Sequence, residues 1–443
     1  MNAYQNTIDY LYSRLPMFSR IGAAAIKNDL HNTQLICEFL GNPEKKIKTI
    51  HVAGTNGKGS TSHMLAAIFQ KAGYKTGLYT SPHLYDFRER IKINGEMCTK
   101  DFVTSFTDKV KPLIEKIEPS FFEITVGMAF DYFASENCDI AIIETGLGGR
   151  LDSTNVIHPI LSIITNIGWD HMALLGNTLE EIATEKAGII KKDTPIVISE
   201  SIPATKQVFL NKSALENAPI YFSEDFITLT AFDNNWDTAS FAFNQPLVHL
   251  VNAPLFNPNF SITCDLPGKY QAKNLKGVLV AAQLLANMGW KLTDKNIQEA
   301  LLSIKASTGF MGRWECIQTA PRIVLDVAHN EHGIKALLDQ IATTKYNQLH
   351  IVTGMVKDKD VDAVLVLLPK KAIYYYTQSH LPRALSATTL AEKGNALGLK
   401  GEIYADVNLA IQAACDASAK NDLILVIGSV YLVAEVDRSL FKN

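Results

Sequence analysis

The sequence predicts two α/β domains, each a mainly parallel sheet with helices on both faces. Three observations predict it. Short β-branched runs alternate with amphipathic stretches almost from end to end, the signature of parallel strands joined by crossover helices. The chain has 443 residues, beyond the roughly 250–300 at which a single hydrophobic core gives way to two. Between two such alternating series lies "SIKASTG", where Ser, Thr and Gly cluster. That cluster puts the boundary near Ser303 to Gly309, giving domains of residues 1–304 and 305–443.

Taken in order, "KTIHVA", "KTGLYT", "DIAIIE", "LSIITNI" and "TPIVIS" read as strands of the first sheet, with helices between them from Ser60 to Ala72 and from Leu179 to Ile190. From about Ala218 to Asp265 the rhythm breaks into a stretch rich in aromatics, Asn and Pro, which predicts a β-rich excursion. A long helix follows, from about Tyr270 to Met288. The second sheet is predicted from "RIVLDVAH", "QLHIVTGM", "AIYYYTQ", "GEIYA" and "DLILVIG".

Composition narrows the function classes. With 47% hydrophobic and 20% charged residues and a net charge of −3, nothing pulls the chain toward nucleic acid or anionic membranes. Its N-terminal segment lacks a signal-type apolar core, and no apolar run reaches the roughly 18 residues of a membrane span. The six cysteines are scattered without a C-x-x-C pair, which suggests neither a zinc site nor a disulfide framework. The expectation is a cytoplasmic protein, acting as a monomer on small molecules.

The chemistry concentrates first in "GTNGKGST". It departs from the common phosphate-loop spelling, having Val52 where a glycine is expected and Gly59 directly after Lys58. Yet it follows a predicted strand and opens a predicted helix, which aims backbone N–H groups and the positive helix end at an anion. Gly54, Thr55, Asn56, Gly57 and Gly59 would shape the cradle, Lys58 would supply a point charge, and Ser60 or Thr61 a hydroxyl. The plainer alternative is an ordinary Gly-rich turn. In "DIAIIETGLGGRLDSTN" an apolar strand ends in Glu144, which puts a carboxylate at the carboxyl edge of the sheet beside that loop. That is a magnesium ligand's place, although a solvated charge would also end a strand there. The segment "SPHLYDFRERIKING" mixes rings and cations: Tyr85 and Phe87 suit stacking on a flat ring, and Arg88 or Arg90 suits holding a carboxylate.

With "FSRIG", "SPHLYDFRERI", "ETGLGGRLDSTN", "DHMALLGNTLEEIATEKAGIIK" and "DVAHN" in order behind the compressed loop, the chain resembles the Mur ligase family and, within it, the folylpolyglutamate and dihydrofolate synthases. The resemblance implies an N-terminal P-loop ATPase domain of Mur-ligase type and a smaller, Rossmann-like C-terminal domain. It implies ATP as cosubstrate and Mg2+ as cofactor. L-glutamate would be joined to dihydropteroate, to the glutamate tail of a reduced folate, or to both, through an acyl phosphate.

By that resemblance Ser81, Glu144 and His171 hold magnesium, and Lys186 is a carbamylated N6-carboxylysine that supports a second ion. Pattern alone would make His171 a capping or core histidine and Lys186 a surface lysine paired along its helix. The resemblance further puts Asn274 at the adenine end and brings Arg313 and Asp326 to the ATP from across the cleft, residues that otherwise read as a surface arginine and a helix N-cap. His329 and Ser429 would place the incoming glutamate, and "FSRIGAAAIK" is where a dihydropteroate-specific pocket is expected. Two other readings stay open. A phosphotransferase or NTPase would share the loop and Glu144, and a nucleotide-regulated binding module would share the fold.

Overall fold

The computed structural model describes residues 3–22, 27, 29–245, 254–357 and 359–441. The first sheet has eight strands: β1 (Thr49–Ala53), β2 (Thr76–Tyr79), β3 (Ile91–Ile93), β4 (Glu96–Met97), β5 (Ile140–Glu144), β6 (Leu161–Ile164), β7 (Ile196–Ile198) and β8 (Ile220–Phe222). Their spatial order is β4-β3-β2-β5-β1-β6-β7-β8, parallel from β2 to β8. In β5 the pleat sends Ile140 and Ile142 to the core beneath helix Lys58–Lys71, and Ala141 and Ile143 to the core beneath helix Phe121–Ser135. Every residue of β1 and β5 is buried, as two covered faces require. Each buried isoleucine contributes about 1.5–3 kcal/mol.

Helix Lys58–Lys71 is buried around most of its surface. One side lies on the sheet, and helices Gln271–Asn287, Asp294–Leu301 and Ile304–Thr308 cover the other. The helix that opens from the phosphate loop is thereby fixed in place, and its N-terminus emerges at the carboxyl ends of β1 and β5, where α/β sheets bind ligands.

Three strands form a separate antiparallel sheet, β9 (Thr228–Asn234), β10 (Ala239–Asn244) and β11 (Asn259–Cys264). This is the expected excursion, except that its first strand, β8, joins the main sheet through Ile196↔Ile220 pairing. At the β9–β10 turn Trp236 stacks on Trp314 of the second domain, with centroids 6.1 Å apart and planes at 11°. The Arg322 guanidinium lies 3.9 Å over the Trp236 ring.

The second sheet runs β12-β13-β17-β14-β15-β16, from β12 (Glu315–Thr319), β13 (Arg322–Leu325), β14 (Leu349–Thr353), β15 (Ile373–Tyr376), β16 (Gly401–Ile403) and β17 (Leu423–Ile427). Only β12 is antiparallel. Between the sheets the chain forms helix Ile304–Thr308 and then turns through Gly309 and Gly312, both with positive φ. His63 and Lys92 of the first domain hold this crossing: His63 Nδ1 lies 2.7 Å from Thr308 Oγ1, and Lys92 Nζ donates to the Thr308 and Gly309 carbonyls at 2.8 and 3.2 Å.

The ring-and-cation segment "SPHLYDFRERIKING" is more ordered than its composition suggests. A capping box at Asp86 starts a 3-10 turn over Phe87–Arg90, and β3 and β4 continue as an antiparallel hairpin. Of "FSRIGAAAIK", residues 23–26 lie outside the described residues. No described helix is long and apolar enough to cross a membrane.

Candidate active site

The loop after β1 is held by the loop after β6. Thr55 N–H donates to the Asn166 carbonyl at 3.0 Å, Asn56 N–H to Asn166 Oδ1 at 2.9 Å, and Thr165 Oγ1 to the Asn56 carbonyl at 2.6 Å. Gly54 sits at φ 149°, where a Cβ would come within 1.8 Å of Thr165 Oγ1. Gly57, at φ 83°, caps helix Lys58–Lys71 and would bring a Cβ within 2.2 Å of Asn274 Oδ1. The two glycines therefore answer to contact as well as to conformation. The first N–H groups of that helix have no intrahelical acceptor, so they remain available to an anion.

Two lysines converge on the loop. Lys58 Nζ donates to the Gly54 and Thr55 carbonyls at 3.0 and 3.3 Å, and Lys186 Nζ donates to the same Gly54 carbonyl at 2.9 Å. Lys186 is no surface lysine: it is 3% exposed, on the stripe Ile182, Ala183, Lys186, Ala187 that helix Leu179–Ala187 turns inward. Burial, reinforced by the charge of Lys58, lowers its pKa to about 7. Lys58 is lowered too, chiefly by burial and against the pull of Glu144.

Glu144, at the end of β5, is 4% exposed, and its Oε2 accepts from Ser81 N–H at 3.2 Å. Burial raises its pKa to about 7, with Lys58 opposing. A Cβ on Gly59 would lie 3.9 Å from Glu144 Oε1, so the absent side chain leaves room between carboxylate and helix. Ser60 and Thr61 point into the protein: Ser60 Oγ accepts from Gln271 Nε2 at 3.3 Å, and Thr61 Oγ1 is buried without a partner. Asn274 donates to Gln271 Oε1 at 2.7 Å.

The second domain closes over this loop. Asn330 and Asn56 exchange amide hydrogen bonds at 3.2 and 3.4 Å, and His332 Nδ1 lies 3.1 Å from Asn56 Nδ2. Asp326, at the end of β13, accepts from Trp314 N–H and Ala328 N–H, each at 2.9 Å, and from Tyr270 Oη at 3.3 Å. Burial raises its pKa, with Arg313 opposing. Arg313 donates to the Gly312 carbonyl at 3.4 Å and lies within electrostatic reach of Asp326, Glu144 and Lys58.

His171 takes a left-handed conformation (φ 49°) ahead of helix Met172–Leu175. Its Nε2 accepts from Lys359 Nζ at 3.1 Å, and burial, followed by the Lys359 charge, lowers its pKa to about 3. Asp170 binds Lys359 through Oδ1, and its Oδ2 lies 3.4 Å from Asn330 Nδ2 and 3.7 Å from His329 Nε2. Burial alone would raise Asp170, but the His329 contact and the charge of Lys359 hold it well below the usual carboxylate range. His329 Nδ1–H donates to the Val327 carbonyl at 2.9 Å. Ser429 caps helix Val430–Ala434, accepting from Leu432 N–H at 3.0 Å. Among the described residues no three His, Cys, Asp or Glu side chains converge as a metal cluster.

The ring-and-cation segment is occupied with its own structure. Arg88 closes its fork on Asp86, and Arg90 Nε donates to His83 Nδ1 at 2.8 Å while its guanidinium lies over Phe121. Phe87 is 3% exposed in the core, which removes it as a stacking surface; Tyr85 remains exposed. Sequence reasoning overlooked Asn166, Asp170, Asn330 and Lys359. Asp170 adjoins His171 in "GWDH", and "KDKD" brackets Lys359 with charge, but only the closed cleft brings the two together.

The Mur ligase middle domain matches residues 52–282, and the Mur ligase glutamate ligase domain matches residues 312–430. A dihydrofolate synthase/folylpolyglutamate synthase of Bacillus subtilis is 34% identical over 456 aligned positions, covering 99% of each chain. Among solved structures, Mycobacterium tuberculosis folylpolyglutamate synthase complexed with ADP and AMPPCP superposes with a TM-score of 0.85 at 28% identity, covering 100% of this chain and 98% of that one. The bifunctional folylpolyglutamate synthase/dihydrofolate synthase of Yersinia pestis, complexed with AMPPNP and Mn ion, gives 0.81 at 28% identity, covering 99% and 98%. The chain thus belongs to the Mur ligase family, in the branch of the dihydrofolate and folylpolyglutamate synthases.

Proposed function

We propose that the protein is an ATP-dependent ligase that forms an amide between a pterin-bearing carboxylate and the amine of L-glutamate. The observation that carries this reading is the single cleft in which Lys58, Lys186 and Glu144 surround the phosphate loop while Asn330, Asp326 and Arg313 of the glutamate ligase domain close over it.

Amide formation from a free carboxylate is uphill in water, so activation comes first. The substrate carboxylate attacks the γ-phosphorus of ATP, forming the acyl phosphate as the bond to ADP breaks. The glutamate amine then attacks the acyl carbon, and phosphate leaves. The loop N–H groups and Lys58 hold the phosphates, and Arg313 spreads charge on the phosphoryl group. Asn274, against Gly57, is assigned to the nucleotide. His329 and Ser429 are assigned to the incoming glutamate, and Arg88 and Arg90 to the substrate carboxylate once their present partners release them. The closed domains keep water from the acyl phosphate.

Glu144, with Ser81 hydrogen-bonded to it, fits a hard divalent cation, whose preference is for oxygen. When bound, magnesium neutralises phosphate charge. Lys186 is assigned as the N6-carboxylysine: a neutral amine adds to CO2 and releases a proton, and the resulting anion turns its repulsion with Lys58 into attraction. Cytoplasmic location and a monomeric state complete the proposal.

The test incubates the protein with Mg-ATP, L-glutamate and either dihydropteroate or tetrahydrofolate, and weighs the products. A glutamyl adduct on dihydropteroate, on tetrahydrofolate or on both identifies the substrate. ATP consumption without an adduct, indifferent to glutamate, contradicts the ligase and favours an NTPase.

A further inference from the structure

The Asp170–His171 notch already holds a cation. Lys359 Nζ donates to Asp170 Oδ1 and, at 3.1 Å, to His171 Nε2, with the lysine and aspartate side chains 10% and 11% exposed. A neutral imidazole nitrogen has one acceptor lone pair, so His171 Nε2 cannot accept from an ammonium and ligate a metal together. A carboxylate oxygen beside an imidazole nitrogen is also a donor pair that divalent cations take.

Lys359 does not move alone. Its loop, after β14, is tied to the loop after β15 by the Val356↔Ala384 bridge and by the Lys357 N–H donated to the Arg383 carbonyl at 3.0 Å. Arg383 lies 4.7 Å over the Phe18 ring and donates to the Phe18 carbonyl, and the Phe18 and His171 rings in turn meet edge to face with centroids 5.5 Å apart. Two cations of the glutamate ligase domain therefore stand, as one unit, on Asp170 and Phe18 of the first domain.

We propose that the Lys359 ammonium and a divalent cation are alternative occupants of the Asp170–His171 notch, so that metal entry at His171 releases the Lys359–Arg383 loop pair. Lys359 is then a positioning residue that fills the notch until metal arrives. This rests on the reading of His171 as a metal ligand.

Mn2+ alone, titrated into the full chain and followed by electron paramagnetic resonance, tests it. If Lys359 holds the notch in about nine molecules of ten, Lys359→Met tightens Mn2+ binding about tenfold. His171→Ala in that background removes the gain, and Lys357→Met, which deletes the same charge two residues away, does not reproduce it. No gain in Lys359→Met, or an equal gain in Lys357→Met, overturns the proposal. Hydrogen exchange on the wild type provides a second readout, independent of how the variants fold: Mn2+ should speed exchange in the loops around Lys359 and Arg383, and unchanged exchange overturns the proposal. Neither readout uses folate, ATP or glutamate. Unchanged Mn2+ binding beside intact ligation defeats the notch alone, and a tenfold gain beside absent ligation defeats the ligase alone.

Discussion

Lys186 offers the most exacting test of the site's electrostatics. Its pKa, lowered to about 7 by burial and by Lys58, leaves about half of the amine neutral at pH 7. An ordinary lysine near 10.4 has about one neutral amine in 2,500 at that pH, so the site enriches the CO2-reactive form about a thousandfold. Carbamylation also replaces a buried cation by an anion facing Lys58, relieving the repulsion that adds to burial in lowering Lys186. The assay is 13C NMR of the protein under 13CO2, with dissolved CO2 held constant while pH rises from 6 to 8. Because one proton leaves the ammonium and a second leaves on addition to CO2, one carbamate resonance should rise about a hundredfold per pH unit below 7 and about tenfold per unit above it until it saturates, and Lys186→Met should lack it. A resonance that survives Lys186→Met, or none at pH 8, refutes the reasoning.

Gly57→Ala should cost about 1–2 kcal/mol for its left-handed backbone and weaken ADP binding, because the new Cβ meets Asn274 Oδ1 at 2.2 Å. Gly73→Ala, equally left-handed at φ 90° but with nothing within 4 Å, should show the stability loss in urea with ADP affinity intact; equal affinities in both variants would contradict the contact. In the wild type, protonation of Glu144 competes with metal below its raised pKa of about 7. Mn2+ affinity should accordingly fall about tenfold per pH unit below 7, while Glu144→Gln binds more weakly throughout and lacks that slope. Trp236→Ala removes the stack on Trp314 and the Arg322 contact, and should destabilise the chain by about 1–2 kcal/mol, read as a shifted urea midpoint.

The strand and helix alternation was legible because both faces of each sheet are covered, which leaves β1, β5, β14 and β17 buried at every position, with β17 apolar throughout and β5 apolar up to Glu144. The short antiparallel edges were not: β3 and β4 sit in a charged segment, and β12 reads "ECIQT", with no uniform pattern. The phosphate loop and Glu144 could be read because strand ends carry their own positional meaning. Lys186 could have been read as buried, since Ile182, Ala183 and Ala187 share its helical stripe; the neighbouring glutamates suggested a surface pair, whereas Glu185 actually binds Arg150. Lys359 lies 188 residues from His171. No local pattern encodes that meeting, which depends on how two separately folded sheets close.

Activation of a substrate carboxylate as an acyl phosphate is the centre of the account, and one isotope experiment addresses it most directly. Substrate labelled with 18O in the carboxylate is turned over with Mg-ATP and L-glutamate, and the released phosphate is weighed. Each released phosphate should carry one carboxylate-derived 18O, because the oxygen that attacks phosphorus leaves with it. Unlabelled phosphate, released at the same rate with or without glutamate, would show that water attacks the nucleotide and would contradict the ligase.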